Sequence, residues 1–321
     1  MGAMIGSGVF VLPALGYKIA GNAVVVKQPY PELDVADHWP ADVNRVHHEA
    51  RAMSVFGDVI ESQAVQNLVV PAIRWEDSEN HVIVLSAAPA SATMWKADLL
   101  DGVVEPAIAG SLGEFLATAH SSAAGSDTIR QQFQSDAPFE QLRIDPYHRT
   151  VAKRHPDLAD RISAEIRSLR DRRSTLVHGD YSPKNVLIEK QESAPRIWLI
   201  DFEVAHWGDP VFDVAFMLNH LLIKSVYNAD QQDEYLDAAD RFLERYEAHT
   251  DRREHFDRDM ITELGILMVA RIDGKSPVEY VNEEPVKETL RTVGRRLVTA
   301  EEMAFEDVRT AIRTEVRDER N

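Results

Sequence analysis

The chain has 321 residues, and its 35 Lys and Arg against 53 Asp and Glu give a formal net charge of −18. The hydrophobic fraction of 44% can build a core, which excludes disorder throughout, and 15 Gly and 15 Pro exclude collagen-like and low-complexity classes. The absence of cysteine excludes a disulfide scaffold, a thiolate zinc site and a cysteine nucleophile, and it fits a reducing, cytoplasmic compartment. The acidic balance argues against general nucleic-acid binding, because nucleic-acid phosphates would be repelled.

The first 26 residues are mostly apolar, with Lys18 as their one charge. Residues 1–17 fall just short of the roughly 18 apolar residues expected of a membrane-spanning helix, and no second long apolar run follows. Because no basic residues precede this stretch, we expect neither a signal peptide nor a membrane anchor.

Hydrophobic patterning predicts a strand-rich first third and a helical remainder that has a small strand cluster embedded in it. The predicted strands cover residues 24–27, 68–74, 81–86, 175–178, 185–189 and 197–200. The predicted helices cover residues 41–56, 106–120 and 157–172, and helix continues from about 210 to the end. Residues 86–91 are predicted to be a connector, and the polar residues 122–150 receive no assignment.

Two charged side chains are predicted to be buried in the first third. Glu49 lies between Val46, Ala50 and Met53 on the inward face of helix 41–56, where a carboxylate requires a cationic partner. Lys27 ends the apolar strand and requires an anion in the same way. Taken alone, such residues are more often a solvated lysine and a local salt bridge.

The residues most suggestive of chemistry follow the embedded strands. An apolar strand delivers His178, the next loop carries Asp180, and Asn185 stands five residues later at the start of another strand. Sixteen residues beyond Asn185, a further strand ends by presenting Asp201. Phosphoryl transfer needs a carboxylate near the attacking hydroxyl and oxygen ligands for Mg²⁺, because the metal neutralises charge on the phosphates. Asp180 can be the former, and Asn185 and Asp201 can be the latter.

These residues carry a family resemblance. The sequence H-G-D-x-x-x-x-N that begins at His178, I-D-F-E that begins at Ile200, and G-D-P-V-F-D-V-A that begins at Gly208 together resemble the aminoglycoside phosphotransferase superfamily. The resemblance spans about residues 24–300. It implies an α+β, protein-kinase-like fold of two lobes: a small β-rich nucleotide-binding lobe, residues 1–86, and a larger helical lobe for catalysis and substrate binding, residues 87–321. It also implies ATP and Mg²⁺ as cofactors.

A second block is similar to the methylthioribose kinases of that superfamily. It consists of K-Q-P-Y-P from Lys27, then H-W-P, then R-V-H-H-E-A, which contains Glu49. The resemblance implies that Lys27 contacts the α- and β-phosphates of ATP and that Glu49 pairs with and orients Lys27. The wider superfamily resemblance implies that adenine meets backbone groups at the connector, near Leu85 to Ala88, with Leu85 and Ala87 as the candidates.

The segment that would cover the phosphates is atypical. Gly6 and Gly8 form a G-x-G sequence that begins 21 residues before Lys27, a distance that fits a glycine-rich hairpin whose amides cradle phosphate oxygens. Val11 replaces the third glycine, and Pro13 stands where the second strand should run. Residues 1–22 therefore form an atypical part of the predicted small lobe.

Candidate acceptor residues lie downstream. Arg271 and Lys275 follow a strongly apolar helix, and methylthioribose kinases carry an arginine-containing segment in a comparable place near the acceptor, so the resemblance implies contact with substrate. Both residues can equally cap the end of a helix. His206 and Trp207 either line the substrate cleft or pack internally, and the sequence leaves these alternatives open.

The sequence therefore predicts an ATP-dependent phosphotransferase that moves the γ-phosphoryl group to a hydroxyl of a small molecule. The acceptor is either a sugar-like metabolite of the methylthioribose type or an aminoglycoside or amino alcohol. The alternative is a nucleotide-binding pseudokinase that acts as an interaction module, which only the atypical N-terminal segment favours. The sequence does not determine the oligomeric state.

Overall fold

The computed structural model describes residues 4–5, 9–10, 24–31, 41–63, 65–250 and 256–319. Most of the strands lie in the first third of these residues and most of the helices in the rest, so the predicted α+β class is confirmed. The strands are β1 Met4–Ile5, β2 Val9–Phe10, β3 Val24–Lys27, β4 Leu68–Val69, β5 Ile73–Asp77, β6 Val82–Ser86, β7 Thr93–Met94, β8 Thr175–Val177, β9 Val186–Glu189, β10 Arg196–Leu199 and β11 His206–Gly208. The helices are α1 Arg45–Ser62, α2 Trp95–Leu100, α3 Pro106–Ala123, α4 Asp127–Gln132, α5 Ala137–Phe139, α6 Thr150–Arg154, α7 Ala159–Asp171, α8 Pro210–Tyr227, α9 Gln232–Ala248, α10 Phe256–Asp273, α11 Glu284–Thr299 and α12 Phe305–Glu319.

The predicted elements occur in the predicted order, with shifted ends. Helix α1 was predicted over 41–56 but continues past Gly57, because Val59 is buried and prolongs the inward face of the helix. The strand predicted over 68–74 is divided into β4 and β5, which belong to different sheets. The unassigned residues 122–150 contain α4, α5 and a π-helical stretch, Glu140–Arg149. The proline inside this stretch argues against a helix when the sequence is considered alone.

The chain divides into two compact units. The first unit comprises residues 1–97, 137–142 and 178–206, and the second comprises residues 98–136, 143–177 and 207–321. In the part of the chain that the structure describes, no helix combines the length and apolar character needed to cross a bilayer.

The first unit contains two sheets that position the candidate site. In one sheet β6 lies between β3 and β5 and is antiparallel to both, with Lys27 opposite Ile83. In the other, β10 lies between β4, to which it is parallel, and β9, to which it is antiparallel, and β7 pairs with the outer side of β9. Helix α1 packs against β4, β5 and β6 and buries its apolar face there. A short antiparallel ribbon is formed by β1 and β2.

The second unit is built around helix α8, whose residues are buried from Pro210 to Val226. Helices α9, α10 and α11 pack against α8, and α3 packs closely against α9. Asp209 begins α8 by accepting a hydrogen bond from the Val211 N–H at 3.1 Å, and the buried Asp213 lies 3.3 Å from His120. Asp209 therefore caps the start of α8, and Asp213 ties α8 to α3.

A buried polar network crosses the second unit. Arg172 contacts Asp209 at 2.7 Å and Glu165 at 2.9 Å, and the fully buried Glu263 lies 3.0 Å from His148. Burial and the nearby charge of Glu263 raise the pKa of Glu165 to about 7, although Arg172 opposes this. Glu165 therefore binds a proton in the folded chain at pH values where the unfolded chain has lost it.

The difference between the pKa of Glu165 in the folded chain and in the unfolded chain predicts that stability depends on pH. Because the folded pKa of Glu165 lies above the ordinary 4.5, the folded state holds more protons, and its stability should fall as pH rises through 4.5 to about 7. We expect the wild-type free energy of unfolding to decline, relative to that of Glu165→Gln, by up to about 3 kcal/mol between roughly pH 5 and pH 8. Urea denaturation across that range measures the difference. The exposed Glu244→Gln serves as control, and parallel curves for wild type and Glu165→Gln would contradict the assignment.

Candidate active site

A buried cluster of one lysine and two carboxylates lies at the end of β3. Lys27 Nζ donates to Glu49 Oε1 at 2.5 Å and to Asp201 Oδ1 at 3.0 Å, and all three side chains are buried. The predicted pair of Lys27 and Glu49 is confirmed as a contact. The structure adds Asp201, which follows β10, to the same lysine.

Two charges in this cluster, those of Lys27 and Asp201, stabilise each other, whereas burial raises the pKa of Glu49 despite the opposing charge of Lys27. Burial acts to lower the pKa of Lys27, but the charges of Asp201 and Glu49 outweigh it and hold the pKa above its ordinary value. Burial acts to raise the pKa of Asp201, and the charges of Lys27 and Lys184 reverse this and hold the pKa below its ordinary value. Lys27 is therefore a cation and Asp201 an anion at neutral pH, which are the forms that phosphate and metal binding require.

Helix α1 holds the segment that follows Asp201. The carboxylate of Glu49 accepts a hydrogen bond from the Phe202 N–H at 3.2 Å, and Arg45 Nε donates to Glu203 Oε2 at 2.9 Å. His48 Nε2 contacts the carbonyl of Ala205. Because positions separated by three and four residues lie on one helix face, a single face of α1 contacts residues 202, 203 and 205.

The guanidinium of Arg45 also binds backbone carbonyls of the segment that precedes α1. Its Nη1 group donates to the carbonyls of Tyr30, Ala41 and Asp42 at 3.0, 3.2 and 3.0 Å. One buried guanidinium thus joins the segment after β3, the start of α1 and Glu203. A guanidinium can do so because its five donors lie in a fixed plane.

The loop that carries Asp180 depends on a glycine. Gly179 has φ of +74°, and a Cβ there would lie 2.5 Å from the carbonyl oxygen of Val204. Any side chain would therefore be strained and would clash. The buried His178 ring lies 4.5 Å from the ring of Phe202 and contacts Phe56 and Tyr181, so it packs inside the first unit.

Asp180 is held by two neighbours in its own loop. Asn185 Nδ2 donates to both the carbonyl and Oδ2 of Asp180 at 2.9 Å, and Lys184 Nζ lies 2.8 Å from the same Oδ2. The Asp180 N–H donates to His178 Nδ1 at 3.2 Å. These contacts orient a buried carboxylate before any ligand binds.

Strand pairing brings Asn185 and Asp201 to one sheet edge. Val186, the first residue of β9, pairs with Leu199, the last of β10, and the Ile200 N–H donates to the carbonyl of Asn185 at 3.0 Å. Asn185, which precedes β9, therefore lies beside the residues that follow β10, Ile200 and Asp201. Asp201 has φ of +69°, an uncommon conformation for a residue other than glycine and one that clusters at functional sites.

The residues at this edge fit a divalent cation. Asn185 Oδ1 is fully buried and accepts no hydrogen bond among the described residues, while its amide hydrogens are used on Asp180. The site has four carboxylates, of Glu49, Asp180, Asp201 and Glu203, against the cations Lys27, Arg45 and Lys184. Burial and the charge of Asp201 raise the pKa of Glu203 to about 7, as expected where negative charge is in excess. An amide oxygen beside a carboxylate suits Mg²⁺, which keeps several water or phosphate ligands.

Sequence reasoning assigned no role to four residues that the structure places in the site: Arg45, His48, Lys184 and Glu203. Arg45 and His48 stand in the same R-V-H-H-E-A block as Glu49, so helical spacing from Glu49 could have indicated them. The contacts of Glu203 and Lys184 are with residues distant in sequence or across a loop, and no local pattern signals them.

The remaining candidates for nucleotide binding lie elsewhere in the first unit. Leu85 is buried in β6, where it pairs with Val25, and Ala87 follows that strand in a half-buried position. The roles implied for both toward adenine stay predictions. Gly6 and Gly8 lie outside the described residues.

The acceptor candidates are distributed over both units. His206 belongs to the first, where its Nδ1 contacts the Val204 carbonyl at 2.9 Å and its ring stacks 4.2 Å from that of Phe139. Trp207, Arg271 and Lys275 belong to the second. Trp207 is buried there, and Lys275 donates its backbone N–H to a carbonyl at 3.0 Å.

Arg271 lies in the last turn of α10 with its side chain turned into the second unit. Its Nη1 donates to Tyr147 Oη at 3.1 Å and to the Ser276 carbonyl at 2.5 Å. The guanidinium therefore ties the segment after α10 to the π-helical stretch. A contact with substrate stays a prediction for Arg271, as it does for the other three acceptor candidates.

Three comparisons with known proteins bear on this site. The model of the phosphotransferase enzyme family (APH) matches residues 21–256. A methylthioribose kinase of Erwinia tasmaniensis is 26% identical over 228 residues, which cover 63% of this chain and 54% of that kinase. The chain thus matches about half the length of this curated relative.

Two solved kinase structures align with most of this chain at low identity and with TM-scores below 0.5. A choline/ethanolamine kinase family protein from Mesorhizobium loti aligns with a TM-score of 0.46 and 17% identity, over 95% of this chain and 89% of that one. Amicoumacin kinase, solved in complex with AMP-PNP and Ca²⁺, aligns with a TM-score of 0.48 and 12% identity, over 87% and 83% of the two chains.

The geometry predicts a metal role for Asp201. If Asp201 is a metal ligand, Asp201→Asn should remove most of any gain in nucleotide affinity on addition of Mg²⁺, because a neutral amide replaces the carboxylate beside Asn185. Asp209→Asn, which alters another buried aspartate that contacts an arginine, should keep that gain. Nucleotide titrations with and without Mg²⁺ measure it, and equal metal dependence in the two variants would reject the assignment.

The contacts of Arg45 predict a positioning role. Arg45→Ala should raise the Mg²⁺ concentration needed for nucleotide binding by about 10-fold or more, the usual scale for groups that hold metal ligands in place. Arg45→Lys should recover only part of the loss, because the ammonium lacks the planar donors.

A readout without metal separates this role from a general loss of stability. Hydrogen exchange at residues 202–205 of the metal-free chain should accelerate in Arg45→Ala. It should not do so in Arg291→Ala, which removes another arginine that contacts several carboxylates. Unchanged exchange and an unchanged Mg²⁺ requirement in Arg45→Ala would show that the arginine does not position the segment.

Proposed function

The chain belongs to the phosphotransferase enzyme family, and from this premise we propose that it transfers the γ-phosphoryl group of ATP to a hydroxyl of a small molecule, with Mg²⁺ as the metal. The observation that carries the proposal is the convergence of the Lys27–Glu49–Asp201 cluster with the Asp180–Asn185 pair within one compact unit. The Lys27–Glu49–Asp201 cluster offers a cation for the phosphates and a carboxylate ligand for the metal. The Asp180–Asn185 pair offers an oriented carboxylate for the attacking hydroxyl.

Lys27 is proposed to contact the α- and β-phosphates. A lysine can do this only if its ammonium is held in place and charged, and Glu49 and Asp201 supply both conditions. Gly6 and Gly8 are proposed to cover the phosphates, and backbone near Leu85 and Ala87 is proposed to meet adenine. Asn185 and Asp201 would hold Mg²⁺, which when bound neutralises charge on the phosphates.

Asp180 is proposed to act on the acceptor. As the acceptor oxygen forms its bond to the γ-phosphorus and the bond to the β,γ-bridging oxygen breaks, the hydroxyl proton passes to the Asp180 carboxylate. Asn185 and Lys184 both contact Oδ2 of this carboxylate and keep it oriented. Orientation of the hydroxyl by a fixed carboxylate lowers the cost of reaching the reactive geometry.

A sugar-like polyhydroxyl acceptor is the substrate class that we favour. The curated relative is a methylthioribose kinase, and guanidinium donors suit hydroxyl-rich or anionic groups better than cationic aminoglycosides. Arg271 is proposed to contact the acceptor, with Lys275, His206 and Trp207 as further candidates. The pseudokinase alternative gains no support, because the family match and the curated relative both point to phosphotransferases.

The test is a screen of small hydroxyl compounds for ATP consumption by the purified chain with Mg²⁺. The panel should contain sugars of the methylthioribose type, amino alcohols and aminoglycosides. A product that carries one added phosphate, identified by mass spectrometry, would establish the reaction and its acceptor class. Nucleotide binding without turnover on any compound of the panel would count against the proposal.

The role of Asp180 gives a specific prediction. Asp180→Ala should lower turnover on the order of 10²-fold or more, because general-base and positioning help are lost. Its ATP affinity and free energy of unfolding should stay close to wild type. The exposed Asp160→Ala is the matched control, and Asp180→Ala with most of the wild-type turnover would exclude this role.

A further inference from the structure

Two histidine rings lie close together, tilted by 48°, between helix α1 and the β5–β6 hairpin. His47 lies in the first turn of α1, two residues before Glu49, and His81 lies between β5 and β6. The distance between His47 Nε2 and His81 Nδ1 is 3.3 Å. The other nitrogen of His47, Nδ1, lies 2.5 Å from Glu76 Oε1 in β5.

The distance between the two ring nitrogens suits a shared metal ion. Zinc binds imidazole nitrogen at about 2.0–2.1 Å in tetrahedral sites. An ion at that distance from two nitrogens that are 3.3 Å apart would subtend an angle of about 107°, close to the tetrahedral angle. Two imidazoles would then supply two ligands, and water would complete the coordination.

Glu76 lies where a carboxylate supports a histidine ligand, at the nitrogen of His47 that points away from His81. When the carboxylate accepts the Nδ1 proton, Nε2 of the neutral ring keeps its lone pair and presents it to His81. A carboxylate on the far nitrogen is the usual support of a histidine ligand, because it fixes the ring and raises its basicity.

The hairpin holds His81 in place before any ion binds. Asp77 Oδ1 accepts the N–H groups of Glu79 and Asn80 at 3.0 Å, and the Asn80 side chain donates to Asp77 Oδ2 at 2.8 Å. His81 follows this turn with φ of +53°. A histidine in the left-handed region is uncommon, and here it ends a turn that Asp77 braces.

We propose that His47 and His81 form a zinc site that joins helix α1 to the β5–β6 hairpin, with Glu76 as the support of His47. The site is separate from the edge at Asn185 and Asp201, and its ligands are nitrogen rather than oxygen. Because β6 also pairs with β3, an ion here would fix the helix that carries Glu49 to the sheet that carries Lys27. Zinc would then act on the stability of the first unit and not on the phosphates.

The test is a calorimetric titration of the metal-free full chain with Zn²⁺ in excess Mg²⁺, which occupies the oxygen site. His47→Gln and His81→Asn remove one ligand each, and asparagine tolerates the positive φ at position 81. Glu76→Gln removes the supporting charge. His249→Gln is the matched control, because His249 is an exposed single histidine that lies 3.6 Å from a carboxylate.

We expect one equivalent of Zn²⁺ to bind the wild type and the His249→Gln variant, and to be lost in His47→Gln and in His81→Asn. Glu76→Gln should bind about 10-fold or more weakly. Cu²⁺ at the same site should show electron paramagnetic resonance couplings to two imidazole nitrogens.

Melting temperatures distinguish the loss of a zinc ligand from misfolding of a variant. Zn²⁺ should raise the melting temperature of the wild type but not that of His81→Asn, while the metal-free values of the two stay close. No zinc binding by the wild type, or equal binding by wild type and His81→Asn, would overturn the proposal and leave a hydrogen bond between the rings.

Discussion

The rest of the candidate site depends on the burial of Lys27. An ammonium group removed from water is unfavourable unless anions surround it, and here two carboxylates from distant parts of the chain do so. Glu49 comes from a helix and Asp201 from a loop after a strand, so the lysine holds three elements in one arrangement. The same arrangement keeps Lys27 positively and Asp201 negatively charged, as the phosphate and cation roles proposed for them require.

Helix α1 also restricts the segment that follows Asp201. Its residues 45, 48 and 49 contact the segment after Asp201 through a guanidinium, an imidazole and a carboxylate. A rigid helix with several contacts on one face leaves the segment little freedom. The uncommon backbone conformation of Asp201 can therefore persist, since the contacts on both sides compensate for its strain. His47, on the same helix, extends these attachments to the β5–β6 hairpin.

Local patterns were sufficient for much of the fold and for the main residues of the candidate site. The apolar strand before His178 and the strand before Asp201 were predictable, because short apolar runs bounded by glycine and aspartate are typical of buried strands that end in loops. The inward position of Glu49 followed from helical spacing, and its need for a cation followed from burial. The ends of elements were less predictable: α1 continues past Gly57 because of a buried valine that packs against other elements.

The sequence by itself determined the α+β class, the order of the elements, and the family through motifs at fixed spacing. Apart from the Lys27–Glu49 pair, which the family resemblance implied, only the tertiary structure decided which buried charges meet. Asp201 joins Lys27 across 174 positions and Arg45 meets Glu203 across 158, and no periodicity relates residues so far apart. The orphaned oxygen of Asn185 and the adjacent rings of His47 and His81 likewise arise from strand register and helix packing. Local composition fixes backbone preference and burial, but the partner of a buried charge depends on long-range contacts that exist only in the folded chain.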